Sequence, residues 1–167
     1  MPSRTKSANP LEDLFTETLK DVYFAEKQIL RALPKMAKEA MTPELKEAFE
    51  THREETEGQI DRLNQVFEKI GRPARGKTCE AIDGIIEEAK EVMEEFRGAE
   101  ALDAGIAASA QAVEHYEIAR YGTLKTWARE LGLNDAVTLL DETLKEEVNA
   151  DKLLSQIALK GLNKKAA

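Results

Sequence analysis

The stretch "IGRPARGKTCEAIDGIIEEAKEVMEEFRG" (residues 70–98) decides how this chain folds. Two glycines and a proline in its first eight residues stop the helical pattern that comes before it. From about Cys79 to Phe96 the pattern becomes helical again, with apolar residues recurring on one side, and Gly98 ends it. The stretch is therefore long enough to run the length of a helical bundle and to re-enter the bundle from its other end.

Two long amphipathic helices are predicted before this stretch. The first begins near Pro10, a residue suited to a first helical turn, and Pro34 either kinks it or ends its regular part. The second begins at "MTPEL", where Thr42 is the predicted N-cap and Pro43 occupies the first helical position. It ends where residues 70–98 begin.

Two more long helices are predicted after this stretch, over about residues 100–131 and 134–162. Gly132, in "ELGLND", is the predicted C-terminal stop of the first of them. The short turn within each pair makes its two helices antiparallel. An all-α, ferritin-like four-helix bundle with one long crossover containing a short extra helix fits this layout better than a plain up-down bundle. We expect one domain over residues 10–162, a flexible tail at 1–9 and a disordered tail at 163–167.

Composition excludes several classes of protein. The formal net charge of −8 argues against binding to nucleic acid or to an anionic membrane surface, since both need a basic face. There is no run of about 18 apolar residues that would span a membrane. The N-terminal sequence lacks the apolar segment of a signal peptide, and the lone cysteine, Cys79, cannot form an intramolecular disulfide. We expect a cytoplasmic protein.

Carboxylates interrupt the apolar stripe of every long helix near its middle. Glu26 lies on the stripe of the first helix, and Glu147 on that of the fourth. Glu117 lies on the third stripe, and Glu114 borders it one turn earlier. Glu55 lies beside the second stripe.

Burying an ionised carboxylate without compensation costs several kcal/mol or drives it to protonate. Four helices that accept this cost at similar depth suggest a shared pair of hard cations with oxygen ligands. The alternative is that some of the 32 acidic residues of the chain fall at stripe edges by chance and stay solvated.

Histidine is scarce, with only His52 and His115 in the chain. His52 lies on the inner stripe of the second helix, so it is a metal ligand, an orienter of Glu55, or a hydrogen-bonded core residue. His115 falls off the face that carries Glu114 and Glu117, which favours a packing or surface role. Tyr116 and Tyr121 could donate hydrogen bonds to a metal-bound oxygen or carry an electron, but interhelical packing is the favoured interpretation.

Four segments carry a resemblance to a known family: "DVYFAEKQIL" (21–30), "HREETEGQIDRLNQVF" (52–67), "VEHYEIARYGTL" (113–124) and "ETLKEEVNADKLL" (142–154). Over about residues 11 to 160 the chain closely resembles the YciF-type stress proteins, a branch of the ferritin-like superfamily. The resemblance implies a five-helix ferritin-like domain, a homodimer, rubrerythrin-like helix packing and a link to general stress responses.

The wider rubrerythrin pattern implied by this resemblance has a glutamate on the first helix, Glu-x-x-His on the second, Glu-x-x-Glu on the third and Glu-x-x-His on the fourth. Four glutamates match it: Glu26, Glu114, Glu117 and Glu147. The second helix departs from it with His52-x-x-Glu55 in reverse order and Gln59 one turn on. The fourth has Ala150 in place of the histidine, with Asp151 next to it. Fewer imidazoles put the affinity, the identity of the metal and redox competence in question.

Three functions are open at this point. The first is a dinuclear site holding two metal ions, iron or else manganese, that reduces peroxide or oxygen. Its metal ligands would be Glu26, His52, Glu55, Glu114, Glu117 and Glu147, with Glu55 and Glu117 as bridges. The second is a non-enzymatic stress protein that acts by dimerisation or partner binding, with a vestigial or structural metal site. The third, DNA protection, could use only Arg4, Lys6, Lys164 and Lys165, and the net charge opposes it.

Overall fold

The computed structural model describes residues 8–167, and within this range it is helical without a β-strand. Its helices are α1 (Pro10–Glu39), α2 (Pro43–Lys69), α3 (Glu80–Glu95), α4 (Leu102–Glu130) and α5 (Asn134–Ile157). A π-helical turn, Ala158–Leu162, joins α5 to the short α6, Asn163–Ala166. Among the described residues, no helix combines the length and apolar character needed to cross a membrane.

The helix ends largely follow the local sequence signals. Asn9 caps α1, where its Oδ1 accepts a hydrogen bond from the backbone N–H of Leu11 at 3.0 Å. Helix α1 continues past Pro34, which is exposed, to Glu39. Gly132 ends the α4–α5 turn with φ +71°, a conformation that favours glycine.

The turn between α1 and α2 is held by a residue at the start of α4, Asp103. The buried carboxylate of Asp103 accepts hydrogen bonds from the backbone N–H of Met41 at 2.8 Å and of Thr42 at 2.7 Å. The hydroxyl of Thr42 also donates to Asp103 instead of capping its own helix. The first helical hairpin is thereby attached to the start of α4.

The predicted all-α fold with a single long crossover is confirmed. Short turns at residues 40–42 and 131–133 make α1–α2 and α4–α5 antiparallel pairs, and the crossover helix α3 packs on α4. A Cβ atom at Gly105 would lie 2.6 Å from Cγ1 of Val92, so glycine allows this close approach of α4 to α3.

The ends of the chain lie partly within the described residues. Residues 163–166, where the sequence predicted a disordered tail, continue the helical path, and the buried side chain of Leu162 anchors that extension. Of the predicted tail at 1–9, Asn9 belongs to the cap of α1. Residues 1–7, including Arg4 and Lys6, lie outside the described part of the chain.

The core consists of two apolar clusters, one at each end of the bundle. One contains Ile29 of α1, Phe49 of α2 and Val113 of α4, and the other contains Leu19 of α1, Leu63 of α2 and Leu124 of α4. Every long helix passes through both clusters. The segments between the clusters carry the polar side chains described next.

Candidate metal centre

A layer of buried polar side chains separates the two apolar clusters. Each of the four long helices contributes to it, and none of its members is more than 4% exposed. We call this set the polar layer: Glu26, His52, Thr56, Gln59, Glu114, Glu117, Thr143 and Glu147. The layer follows from the helical repeat, because its members lie on the same stripes as the apolar residues above and below them.

Four members of the polar layer converge on one point. His52, Glu114, Glu117 and Glu147 each offer a ligand atom, and these atoms lie within 4.8 Å of one another. Nε2 of His52 is 3.2 Å from Oε1 of Glu114 and 3.8 Å from Oε2 of Glu147. Three helices therefore supply four potential ligands to a volume the size of one ion.

Glu26 adds a fifth charge from the remaining long helix, α1. It is fully buried, and one of its oxygens accepts a hydrogen bond from the hydroxyl of Tyr121. Burial, followed by the negative charge of Glu147, raises the pKa of Glu26 to about 8. Glu26 is thus close enough to the converging group to share its electrostatic field.

The pKa values of Glu114 and Glu117 are shifted in the same direction as that of Glu26. Burial raises the pKa of Glu114 well above its ordinary value, and Glu147 adds to the rise. Burial raises the pKa of Glu117 likewise, with further contributions from Glu147 and Glu26. The metal-free layer therefore holds protons at pH values where exposed glutamates have lost them.

His52 is oriented by Glu55. Oε2 of Glu55 lies 3.2 Å from Nδ1 of the imidazole, and the Glu55 side chain is 36% exposed. Because a carboxylate only accepts hydrogen bonds, Nδ1 carries the hydrogen, and in a neutral ring Nε2 keeps a lone pair that faces Glu114 and Glu147. This is the arrangement in which a histidine binds a metal through one nitrogen and a carboxylate orients it through the other.

The pKa of His52 reflects the same contacts. Burial by itself lowers the pKa of this imidazole, since it disfavours the charged ring. The hydrogen bond to Glu55 and the negative charge of Glu147 outweigh that effect, so the pKa is raised. The carboxylates around His52 therefore favour a positive charge at this place.

Glu147 is held by a chain of contacts that runs to the surface. The side-chain amide of Gln59 donates hydrogen bonds to Glu147 and, at 3.0 Å, to Glu146. Arg62 binds both oxygens of Glu146, at 2.6 and 2.8 Å. Paired hydrogen bonds of this kind fix geometry, so Arg62 positions Glu146 and Gln59 behind Glu147.

The polar layer is short of hydrogen-bond donors. Within residues 8–167, seven buried side-chain nitrogen and oxygen atoms have no hydrogen-bond partner, and all seven belong to the layer. They are Oε2 of Glu26, Nε2 of His52, Oε1 of Gln59, Oε2 of Glu114, both carboxylate oxygens of Glu117 and Oε2 of Glu147. Buried polar atoms are almost always satisfied in native proteins, so seven exceptions in one place call for a common partner.

The donor set fits hard divalent or trivalent cations. Carboxylate oxygens with one imidazole are the ligands used for iron and manganese, whereas soft thiolate ligands are missing from the converging group. Bound cations would serve the unpartnered oxygens and replace the protons that burial retains there.

Comparison with known proteins places the chain in a family. Residues 10–167 match the family defined by the domain of unknown function DUF892. The chain belongs to the DUF892 family. It is 48% identical over 157 residues to protein YciF of Escherichia coli strain K12. This alignment covers 93% of this chain and 95% of the E. coli protein.

Solved structures of similar proteins have the same fold as this DUF892 chain. The crystal structure of the E. coli stress protein YciF superposes with a TM-score of 0.88 at 47% identity, covering 92% of this chain and 98% of that one. YcfI of Rhodopseudomonas palustris gives a TM-score of 0.87 at 48% identity over the same shares. A Xanthomonas campestris protein at 22% identity has a TM-score of 0.72, covers 94% of this chain and 96% of that one, and shares the fold alone.

Ala150 of the DUF892 chain leaves a space beside the converging group. A cavity of about 100 Å³ is lined by Ala150, His52, Glu55 and Glu114, among others. The sequence comparison with the rubrerythrin pattern placed a missing histidine at this position, and the cavity lies where a larger side chain at residue 150 would enter.

The structure places the predicted site residues in two groups. His52, Glu114, Glu117 and Glu147 come together, and Glu26 lies next to them. Glu55, predicted as a bridge, lies outside the converging group, on the far side of the His52 ring. The residues of the second helix that point inward are spaced by four and three, at 52, 56 and 59, so position 55 falls to the side.

The structure also shows the positions of the residues whose roles the sequence left open. Gln59 joins the layer through Glu147, whereas Asp151 lies 3.1 Å from Nε2 of His115 and accepts a hydrogen bond from Gln111. His115 is 69% exposed, as predicted. Tyr121 was assigned to packing, but its hydroxyl contacts Glu26; a tyrosine one turn after an inward glutamate was the available signal.

Proposed function

We propose that this chain is a ferritin-like stress-response protein whose polar layer binds a pair of metal ions, and that iron is the metal. The observation that carries the proposal is the set of seven unpartnered buried atoms, all at one depth of the bundle. A layer meant only for packing would use apolar residues or would satisfy its polar atoms internally.

The residues divide naturally between two ions. His52, Glu114, Glu117 and Glu147 would hold the first, because their ligand atoms already converge. Glu26 would hold the second, together with Glu117 and Glu147, whose charges it faces. In this arrangement Glu117 and Glu147 would each contribute to both ions, and Glu55 would orient His52.

Reduction of peroxide or oxygen is the reaction we propose for this site. A bound pair of ferrous ions would supply one electron each, which with two protons convert hydrogen peroxide to two molecules of water, and an external one-electron reductant would return the ferric ions to the ferrous state. The protein's own contribution is to exclude bulk water with the two apolar clusters and to hold the carboxylates in place. Tyr121 and Gln59 fix one oxygen each of Glu26 and Glu147, which leaves the other oxygens free to bind.

The biological setting is inferred from relatives. The similar protein of E. coli is described as a stress protein, and we extend that role to this chain. We further propose a cytoplasmic homodimer. Exposed large apolar side chains, among them Leu153 at 42% and Leu159 at 75% exposure, support an interface with a second copy. Light scattering at several protein concentrations tests it.

The decisive experiment measures metal content and turnover together. The protein is reconstituted with iron under anaerobic conditions, its metal is counted, and its consumption of peroxide is followed with ascorbate supplied as the electron donor. Glu117→Gln removes one carboxylate at nearly constant volume, and Glu57→Gln, an exposed change on α2, is the matched control. We expect two metal ions per chain and peroxide turnover in the wild type and the control, with both reduced in Glu117→Gln. A metal content well below two ions per chain, or peroxide turnover unaffected by Glu117→Gln, would refute the proposed enzymatic function.

A structural metal site is the second candidate, and the absence of a histidine at Ala150 favours it. A ligand that binds only the folded state stabilises it by mass action, so a chelator should lower the melting temperature in either case. A stoichiometric metal without peroxide turnover identifies the structural role. An unchanged melting temperature on adding chelator speaks against both.

A further inference from the structure

A second cavity opens between α1 and the crossover helix α3 and runs inward to the polar layer. Its volume is about 310 Å³, at the lower end of the range of roughly 300–1,000 Å³ typical of small-molecule sites. Its walls come from α1, α3 and α4 and are mostly apolar, with Ala32, Met36, Ile86, Met93, Ala110 and Val113 among them. The buried side chains of His52 and Glu114 also line it.

The two ends of this cavity differ in exposure and in charge. The buried end is formed by His52 and Glu114 of the polar layer. The exposed end carries three cations, Arg31, Lys35 and Lys90, and two carboxylates, Asp83 and Glu87. In a chain with a net charge of −8, a cationic excess at one cavity mouth is a local departure from the general surface.

The carboxylates at the mouth already have partners. Glu87 pairs with Lys90 at 2.9 Å, and Asp83 accepts a hydrogen bond from the side chain of Gln28 at 3.1 Å. Arg31 donates to Gln28 through one nitrogen, at 3.2 Å, and keeps further N–H groups. The ammonium of Lys35 has no ion pair among residues 8–167. Arg31 and Lys35 are therefore the charges available to a ligand.

The geometry points to a binding site for a small alkyl monocarboxylate in the cavity between α1 and α3. The apolar walls suit an unbranched alkyl chain, and the cations at the mouth suit its carboxylate. Because the available cations lie at the mouth, the carboxylate stays there, and the alkyl chain extends inward along the apolar walls with its end near His52 and Glu114. That the alkyl chain of the ligand ends next to a metal centre rests on the proposed function, whereas binding of its carboxylate at the mouth does not.

The test uses the full-length protein as purified, with decanoate as the probe and its metal content measured alongside. Isothermal titration calorimetry should give one decanoate per chain. Reversing both mouth charges, Arg31→Glu with Lys35→Glu, should weaken binding about tenfold through lost and reversed ion pairs. The matched control, Lys164→Glu with Lys165→Glu, reverses two charges on α6 and should leave the affinity unchanged.

Two changes that fill the cavity test its location. Ala110→Phe at the inner wall and Ala32→Trp nearer the mouth should each abolish decanoate binding. Ala32→Trp is included because its site is only partly buried, so the variant should fold even if Ala110→Phe does not. Ala112→Trp, on the exposed side of α4, is the control. Circular dichroism confirms folding of each variant. In the wild type, nuclear Overhauser contacts from the terminal methyl of decanoate should reach Val113.

Several results would overturn the proposal. One is the absence of decanoate binding by the wild type, and another is unchanged binding by a folded Ala32→Trp variant. Equally tight binding of decyltrimethylammonium, which has the same alkyl length and the opposite charge, would refute the role of the mouth cations. If the protein sediments with vesicles of anionic phospholipid but does not bind decanoate, the ligand of this cavity is a membrane lipid and not a free carboxylate. Failure of metal binding with decanoate binding intact would refute only the proposed function.

Discussion

The carboxylate of Glu55 lies 3.2 Å from Nδ1 of His52, on the side of the ring opposite to Glu114 and Glu147. This contact fixes the tautomer and the direction of Nε2. We expect Glu55→Ala to weaken metal binding about 10- to 100-fold, the usual effect of removing a carboxylate that orients a metal-binding histidine. Competition with a chromogenic chelator measures it.

Glu57→Ala is the control for this change, because Glu57 lies on α2 and, among residues 8–167, pairs with the exposed Arg53 alone. An affinity for metal that is the same in Glu55→Ala and in the control would show that Glu55 does not orient the imidazole.

The cavity at Ala150 predicts a gain of function. A histidine there would extend into the space of about 100 Å³ that borders His52 and Glu114 and would add a second imidazole. We expect Ala150→His to tighten iron binding on the order of tenfold, which corresponds to about 1.4 kcal/mol. Ala112→His, on the solvent side of α4, should change nothing. Weaker binding in Ala150→His would mean that the side chain does not reach the ions.

Glu26 predicts how the stability of the metal-free protein depends on pH. Its pKa is raised to about 8 by burial and Glu147, from an ordinary value of 4.5. Between these values the folded state retains a proton that the unfolded state has lost, so the contribution to stability is complete below pH 4.5 and is lost as pH rises through 8. The slope is up to about 1.4 kcal/mol per pH unit for one proton.

Urea unfolding of chelator-treated protein between pH 5 and about 8 tests this dependence. Glu26→Gln removes the titrating group, so its free energy of unfolding should fall less steeply across that window and should exceed that of the wild type at the upper end. Parallel curves for the two proteins would contradict the predicted protonation of Glu26.

The hydrogen bond from Tyr121 to Glu26 should be costly to remove. Both residues are fully buried, so Tyr121→Phe leaves an oxygen of Glu26 without any donor. We expect a loss of about 1–3 kcal/mol in the metal-free protein. Tyr23→Phe is the matched control, because its partner Asn64 is exposed and water can replace the hydroxyl. Equal losses in the two variants, measured by thermal unfolding, would show that Tyr121 acts by packing alone.

Much of this fold could be predicted because its signals are local. Pro10, Pro43 and Gly132 each mark a helix end through backbone chemistry that acts within one turn. The inward positions of Glu26, Glu117 and Glu147 follow from helical spacing alone. The role of Asp103 could not be predicted, because its partners Met41 and Thr42 are about 60 residues away in the chain.

Glu114 and Glu55 show where a helical projection fails. Glu114 was placed at the border of the stripe, yet it is only 3% exposed. The side of α4 that carries Glu114 faces the crossover helix α3. The sequence of α4 alone does not show that α3 covers this side. Glu55 has the i, i+3 spacing of a metal-ligand pair with His52, but this spacing does not distinguish a shared ion from a direct contact between the two side chains.

Among the described residues, the polar layer divides the hydrophobic core into two separate apolar clusters. Each half is small for an independent cooperative unit, and the four long helices are their covalent connection. Ions bound in the layer would join the halves, whereas a layer containing only protons leaves a plane of weak packing. Bound metal would then make the whole bundle one cooperative unit. Amide hydrogen exchange would show a single global opening in the metal-bound protein and separate openings of the two halves in the metal-free protein.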